Sequence, residues 1–258
     1  MAHFRLLGPV EIVVDGHAHT LGQHKLRQVL AMLALRANQI VDTDLLIQEL
    51  WDEAPPKNAR TILHTYVYQV RKHLERDGLC PHGEELIETR TAGYLLRAGP
   101  DDIDVSRFDR LVQQGRRSLD DGDMARAAGS LRQALDMWSG RALADVLPGP
   151  VLRGHVVALD EQRVCAQEMC IEAGLELGKH RDLLPELRLL VETYPYNEGF
   201  HGQLICALGR CNRRNEALDA YQHLRHILDE ELGLAPSPEI QELHRELLSV
   251  GVTRRMAS

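Results

Sequence analysis

Aromatic residues are scarce, 4% of a 258-residue chain, so a core has to be built from Leu, Val, Ile and Ala. A positive balance is also missing. Lys and Arg number 30 against 38 Asp and Glu, a formal net charge of −8, which excludes a protein that coats nucleic acid or membranes by bulk attraction. No apolar run approaches the ~18 residues of a membrane-crossing helix. The opening MAHFRLLGPVEIVVDG alternates and then turns, unlike the charged start and apolar block of a signal peptide. Five cysteines, an odd number, do not make a secreted disulfide framework, and the chain reads as cytoplasmic. Catalytic signatures are absent as well: there is no G-x-x-x-x-G-K-[ST] loop, no G-x-S-x-G elbow and no H-E-x-x-H helix. No enzyme, cofactor or metal is expected. What remains is an ordinary globular composition, 44% hydrophobic and 26% charged, long enough for one large or two modest domains.

The charge is unevenly shared. Residues 1–98 carry 11 Lys and Arg against 12 Asp and Glu, whereas the rest carries 19 against 26. Within the near-neutral part, Lys57, Arg60, Arg71, Lys72 and Arg76 face Glu75 alone. A basic stretch in a neutral half, joined to an acidic half, suggests two modules with different partners.

Residues 3–14 are rich in Val, Leu and Ile and are interrupted by Gly8-Pro9; Asp15-Gly16 is a hairpin signal, with His17–Leu21 as the returning strand. Three helical patterns follow: Lys25–Arg36, Asp44–Trp51 behind the cap candidates Asp42-Thr43, and Ala59–Glu75 behind Asn58. Asp77-Gly78 ends the third, a loop spans Leu79–Glu85, and Leu86–Thr89 and Tyr94–Leu96 flank a turn with Gly93 where positive φ is wanted. Strand pair, three helices and terminal hairpin is the order of a winged helix-turn-helix.

Gly99-Pro100-Asp101-Asp102 predicts a boundary, with domains at 1–98 and 103–250. Beyond it the pattern is helical, with breaks near Gly122, Ser139-Gly140, Pro148–Pro150, Gly178, Pro195 and Pro236–Pro238. Ala127/Leu131/Ala134, Leu183/Leu187/Leu190 and Ala217/Tyr221/Leu224 repeat a 4-then-3 spacing, each downstream of a breaker (Gly122, Gly178, Asn212). This predicts three tetratricopeptide-like helix pairs and a capping helix over Pro238–Ser249. The fold class expected is mostly α with small β elements, a winged helix followed by an all-α repeat domain. Cys165/Cys170 and Cys206/Cys211 form two C-x₄-C pairs, but side chains five apart on a helix diverge by about 140°, so buried free thiols are expected rather than ligands. His17/His19 and His73/His82 are assigned surface or capping roles.

On the third helix, Leu63, Val67, Val70 and Leu74 stack on one face, flanked by Ala59, Ile62 and Tyr66. Thr61, Thr65, Tyr68 and Lys72 point the other way, with His64, Gln69 and Arg71 at the margins. Hydroxyls, an amide and cations suit phosphates and base edges in a major groove, and no carboxylate interrupts that face before Glu75. Arg90-Thr91 at the hairpin tip can reach adjacent DNA as a wing. Lys25, Arg27 and Arg60 complete the candidate DNA-binding set.

Several phrases carry a family resemblance: Leu6–Val10, Lys25–Ala34, His64–Leu74 and Thr91–Leu96 in the first half, then Phe108, Pro195–Glu198, Ala207–Arg210, Glu216–Leu218, Tyr221, Leu228–Leu234 and Pro236–Pro238. Residues 3–97 resemble a winged helix-turn-helix of the OmpR/PhoB type, and the second half resembles a bacterial transcriptional activation domain. Together they resemble the Streptomyces antibiotic regulatory protein family, over about residues 3–248. The resemblance implies an activator of secondary-metabolite genes that binds direct repeats near the −35 region and recruits RNA polymerase. The implied partners are duplex promoter DNA, a second copy bound head-to-tail, and three parts of the polymerase: the sigma factor, the alpha C-terminal domain and the beta chain. An adaptor whose repeats grip a peptide, or a ligand-gated repressor, are the competing readings; salt-dependent duplex binding separates the adaptor from the activator.

Overall fold

The computed structural model describes residues 2–76 and 86–255, so the loop expected over Leu79–Glu85, the Asp77-Gly78 stop and His82 lie outside the described residues. The fold is mostly helical with two small sheets, as the residue pattern implies. No described helix is long and apolar enough to cross a membrane.

The first sheet is antiparallel, in the order β1 (Ala2–Arg5), β2 (Glu11–Val14), β3 (His17–Thr20). It has one strand more than the expected pair, because Gly8-Pro9, which a turn or a bulge would both suit, lies in the connection that separates β1 from β2. Asp15 and Gly16 both take positive φ, +48° and +85°, the backbone that a two-residue hairpin of matching twist requires. Helices α1 (His24–Leu35), α2 (Thr43–Trp51) and α3 (Ala59–Arg76) follow. The Asp42 side chain accepts from the Asp44 N–H at 2.8 Å and caps α2. Helix α1 buries eight of its residues, Gln28 included, instead of a single stripe, because α2, α3 and the second sheet surround it.

That second sheet, β4 (Val41–Asp42), β5 (Ile87–Thr89) and β6 (Gly93–Leu96), runs in the order β4-β6-β5. The two-residue β4 was not legible as a strand. Gly93 is needed, though not for positive φ as expected. It pairs opposite Asp42 so closely that a Cβ would overlap the Val41 carbonyl oxygen.

Among the described residues seven further helices follow: α4 (Asp104–Asp120), α5 (Met124–Leu135), α6 (Pro150–Glu176), α7 (His180–Thr193), α8 (Glu198–Arg210), α9 (Arg214–Leu232) and α10 (Pro238–Arg255). Gly122, Gly178 and Asn212 each take a left-handed φ, +75°, +76° and +58°. After each, the following N–H closes back five residues: Asp123 to Ser118 at 2.8 Å, Lys179 to Gly174 at 3.0 Å and Arg213 to Leu208 at 2.9 Å. This is the Schellman helix stop, made three times, and it explains why those residues break the pattern. All nine members of the 4-then-3 spacing are buried. Gly233, at φ +65°, ends α9 in the same left-handed way. Of the cysteines expected to be buried, only Cys170 is; Cys165 is exposed and Cys206 and Cys211 are half-buried, since α6 and α8 are covered on part of their circumference.

By packing, the chain forms two compact units, residues 1–114 with 130–166, and residues 115–129 with 167–258. The core of the first unit joins Leu26, Leu30, Leu33, Leu46, Leu63, Val67 and Leu96 to Leu143, Val146 and Leu152 from well beyond residue 98. The backbone follows. Ser139, Leu143 and Ala144 N–H groups donate to Leu7, Leu6 and Gly8 carbonyls at 2.9, 2.9 and 3.0 Å. Asp104 accepts from the Leu6 and Leu7 N–H groups at 2.7 and 2.8 Å. Glu49 on α2, 2% exposed, accepts from the first N–H groups of α6: Gly149, Val151 and Leu152 at 2.6, 2.9 and 3.0 Å. A buried carboxylate at a helix N-terminus satisfies orphan donors and faces the positive end of the dipole. In the second unit, α7, α8, α9 and α10 pack in succession, with Tyr221 stacked on His244 at 3.9 Å and Ile240 against Gly202.

Candidate nucleic-acid interface

Helix α3 presents its two faces as its sequence dictates. Ala59, Leu63, Val67, Val70 and Leu74 are buried, and Tyr66 stacks on Trp51 at 6.2 Å between ring centroids. Arg60, Thr61, His64, Thr65, Tyr68 and Lys72 are exposed. Tyr68, 57% exposed, is an outward aromatic of the kind hydrophobic burial alone would not leave there. The Thr65 hydroxyl donates to the Thr61 carbonyl at 3.1 Å, which leaves its methyl and oxygen on the outer face. Lys72 lies 5.6 Å from the Tyr68 ring centroid and pairs with Glu75 at 2.9 Å. The one carboxylate of the helix therefore reaches this face, at its C-terminal end. Arg60 pairs with Asp44 of α2 at 2.8 Å, both more than two-thirds exposed. Such an exposed pair is worth about 0–1 kcal/mol, so a phosphate can take the place of the Asp44 carboxylate at small cost.

Two of the marginal residues also bond to the wing, the hairpin of β5 and β6. Arg71 donates to the Ile87 carbonyl through Nε and Nη2, at 3.0 and 2.6 Å, and through Nη2 to the Thr89 hydroxyl at 2.9 Å. His64 Nδ1 lies 2.7 Å from the Tyr94 hydroxyl of β6, the rings edge to face. Burial pushes the Tyr94 phenol above its ordinary range, with the Arg71 charge opposing. Gln69 is half-buried, and its side-chain oxygen lies buried without a hydrogen-bond partner.

At the wing tip, Arg90 and Thr91 are exposed. The turn is closed by Arg90 N–H to Gly93 O at 2.8 Å and Gly93 N–H to Arg90 O at 3.2 Å. Arg90 pairs with Glu88, which also takes Arg97 at 2.6 Å; the Arg97 bond first, then the two charges, hold the Glu88 carboxyl below its ordinary range.

Lys25 and Arg27, on α1, are half-buried and bond within the protein. Lys25 donates to the Leu50 carbonyl, and burial lowers its ammonium while Glu49 pulls it back up. Arg27 pairs with Asp145 at 3.1 Å and donates to the Asp145 and Leu21 carbonyls. Both tie α1 to its neighbours. Helix α3 and the wing thus bring together Arg60, Thr61, His64, Thr65, Tyr68, Lys72, Arg90 and Thr91, with Arg71 behind them. Tyr94 and Glu49 were missed from sequence because each looks like an ordinary strand or helix residue until its partner is known.

Two family models match the chain: transcriptional regulatory protein, C terminal, over residues 18–96, and bacterial transcriptional activator domain over residues 103–248. Regulatory protein DnrI of Streptomyces peucetius is 38% identical over 246 residues, 94% of this chain and 90% of that protein. Transcriptional regulator RedD of Streptomyces coelicolor is 33% identical over 95% of this chain and 69% of its own length. The structure of Mycobacterium tuberculosis EmbR in complex with a low-affinity phosphopeptide superposes with a TM-score of 0.90 at 32% identity, covering 96% of this chain and 65% of that one.

Proposed function

The chain belongs to the Streptomyces antibiotic regulatory protein family of transcriptional regulators, and on that premise we propose that it is a sequence-specific activator of secondary-metabolite genes. It binds direct repeats near the −35 region and recruits RNA polymerase. The observation that carries the reading is the outer face of α3, where Thr61, His64, Thr65, Tyr68 and Lys72 are all exposed beside the wing. Donors, cations and an aromatic ring are what phosphates and major-groove edges accept. Arg60, Thr61, Thr65, Tyr68 and Lys72 make the contacts, and Arg90 and Thr91 reach the flanking backbone. Residues 1–98 hold the reading surface, and residues 103–250 present an acidic surface to basic patches on the polymerase sigma factor or alpha C-terminal domain.

One winged domain reads a short site, so two copies bind head-to-tail on repeats spaced about one helical turn, ~10–10.5 bp, and gain from mutual contact. Footprinting and gel-shift titration of the full chain on its neighbouring promoters test this. A protected direct repeat is expected, with cooperativity lost when half a turn is inserted between the repeats. Equal affinity for the native and the half-turn-spaced sites counts against it.

A further inference from the structure

We propose that Tyr94 donates its hydroxyl hydrogen to Nδ1 of His64 and so holds Nε2 as an N–H donor directed at an acceptor on bound duplex DNA. This rests on the DNA-binding reading above and assigns a contact and its positioning residue within that surface. Tyr94 is 2% exposed, so its hydroxyl has to find its partner inside the protein. His64 Nδ1, at 2.7 Å, is the one partner it has among the described residues.

The direction of the bond follows from what each group would otherwise lack. Were Nδ1 the donor, the phenol hydrogen would be left without an acceptor, a cost of ~1–3 kcal/mol. Burial keeps that hydrogen on the oxygen. A neutral imidazole carries one hydrogen, so a ring that accepts at Nδ1 donates at Nε2. His64 itself is exposed. One turn away on the same helix, Thr61 and Tyr68 flank it.

A fixed donor suits this surface. Phosphate oxygens, guanine N7 and O6, adenine N7 and thymine O4 all accept, and only the two exocyclic amines donate in the major groove. A ring free to switch tautomer would have to select the donor form on binding. Tyr94, from the wing, removes that choice before DNA arrives.

The test uses the full chain and a duplex it enriches from a randomised pool. Nitrogen-15 NMR of the free protein at alkaline pH is expected to show His64 with Nε2 protonated and Nδ1 bare, and Tyr94→Phe to give a mixture of tautomers. On the enriched duplex, Tyr94→Phe should weaken binding about three- to tenfold, the loss of one neutral hydrogen bond. His64→Gln keeps a donor near the Nε2 position and needs no phenol, so Tyr94→Phe should cost nothing further in that background, while His64→Ala loses the contact. Replacing single guanines or adenines by their 7-deaza analogues, and single phosphates by methylphosphonates, locates the acceptor on a base or on the backbone. A free protein with Nδ1 protonated overturns the inference, as does an equal cost of Tyr94→Phe with His64 or Gln present. If no duplex is enriched, the function reading fails and the contact falls with it.

Discussion

Lys72 and Tyr68 stand one turn apart on α3, and the roles proposed for them on DNA differ by chemistry. An ammonium that meets a phosphate contributes to every sequence alike, whereas a phenol in the groove meets particular base edges. Lys72 pairs with Glu75, 28% exposed, so the charge of the ammonium is partly met within the helix. Lys72→Ala should therefore weaken binding on all duplexes and reduce the dependence on salt by about one phosphate contact. Tyr68→Ala should cost ~1–3 kcal/mol at particular base pairs and little at others. Binding titrations across salt and across single-base variants of the site separate the two. Unchanged binding by the double variant removes both residues from the surface. Arg71 belongs to a different class, since its three bonds to β5 make it a brace between helix and wing.

Among the elements, the start of α6 depends on a carboxylate from α2. Glu49 receives three backbone N–H groups there, and Gln28, 3% exposed, donates to the Leu147 carbonyl at 2.8 Å just upstream. Glu49→Ala leaves those donors unpaired in a buried place and should destabilise the chain by ~3 kcal/mol, read as a lower urea midpoint at unchanged slope. Glu49→Gln keeps an acceptor oxygen and should cost less. The helix pairs were more legible than this cap. Their stops are local: Gly122, Gly178 and Asn212 are residues that tolerate left-handed backbone, and the spacing between buried side chains is written along one helix. β4 was not legible, since two residues carry no periodicity and Val41 becomes a strand only by pairing with Tyr94.

For the whole molecule, residues 1–98 hold most of the first unit's core but do not close it. Leu143, Val146 and Leu152 complete it, and truncating a buried Leu typically costs ~2–5 kcal/mol. A fragment of residues 1–98 should therefore unfold at much lower denaturant than the full chain, followed by circular dichroism, and lose duplex binding with it. A midpoint equal to that of the full chain would show that the added residues only decorate the winged domain. Activation has to be tested in the full chain. Asp229, Glu230 and Glu231 are exposed at the end of α9. Reversing Asp229 and Glu231 to Lys should leave promoter binding intact and lower in vitro transcription several-fold. Full activity in that variant would remove these acids from polymerase contact.

Composition, turn residues and helical spacing determined by themselves that this chain is a winged helix followed by helix pairs, and which face of α3 is outward. Those features are local, fixed by backbone preference and by side chains a few residues apart. Only the tertiary structure decided that Arg27 and Lys25 brace α1, that Arg71 and Tyr94 hold the wing to α3, and that Glu49 and Leu143 join segments about a hundred residues apart. A charged side chain reads the same in sequence whether it meets solvent, DNA or a buried carbonyl; its partner is chosen by packing, which no spacing along the chain encodes.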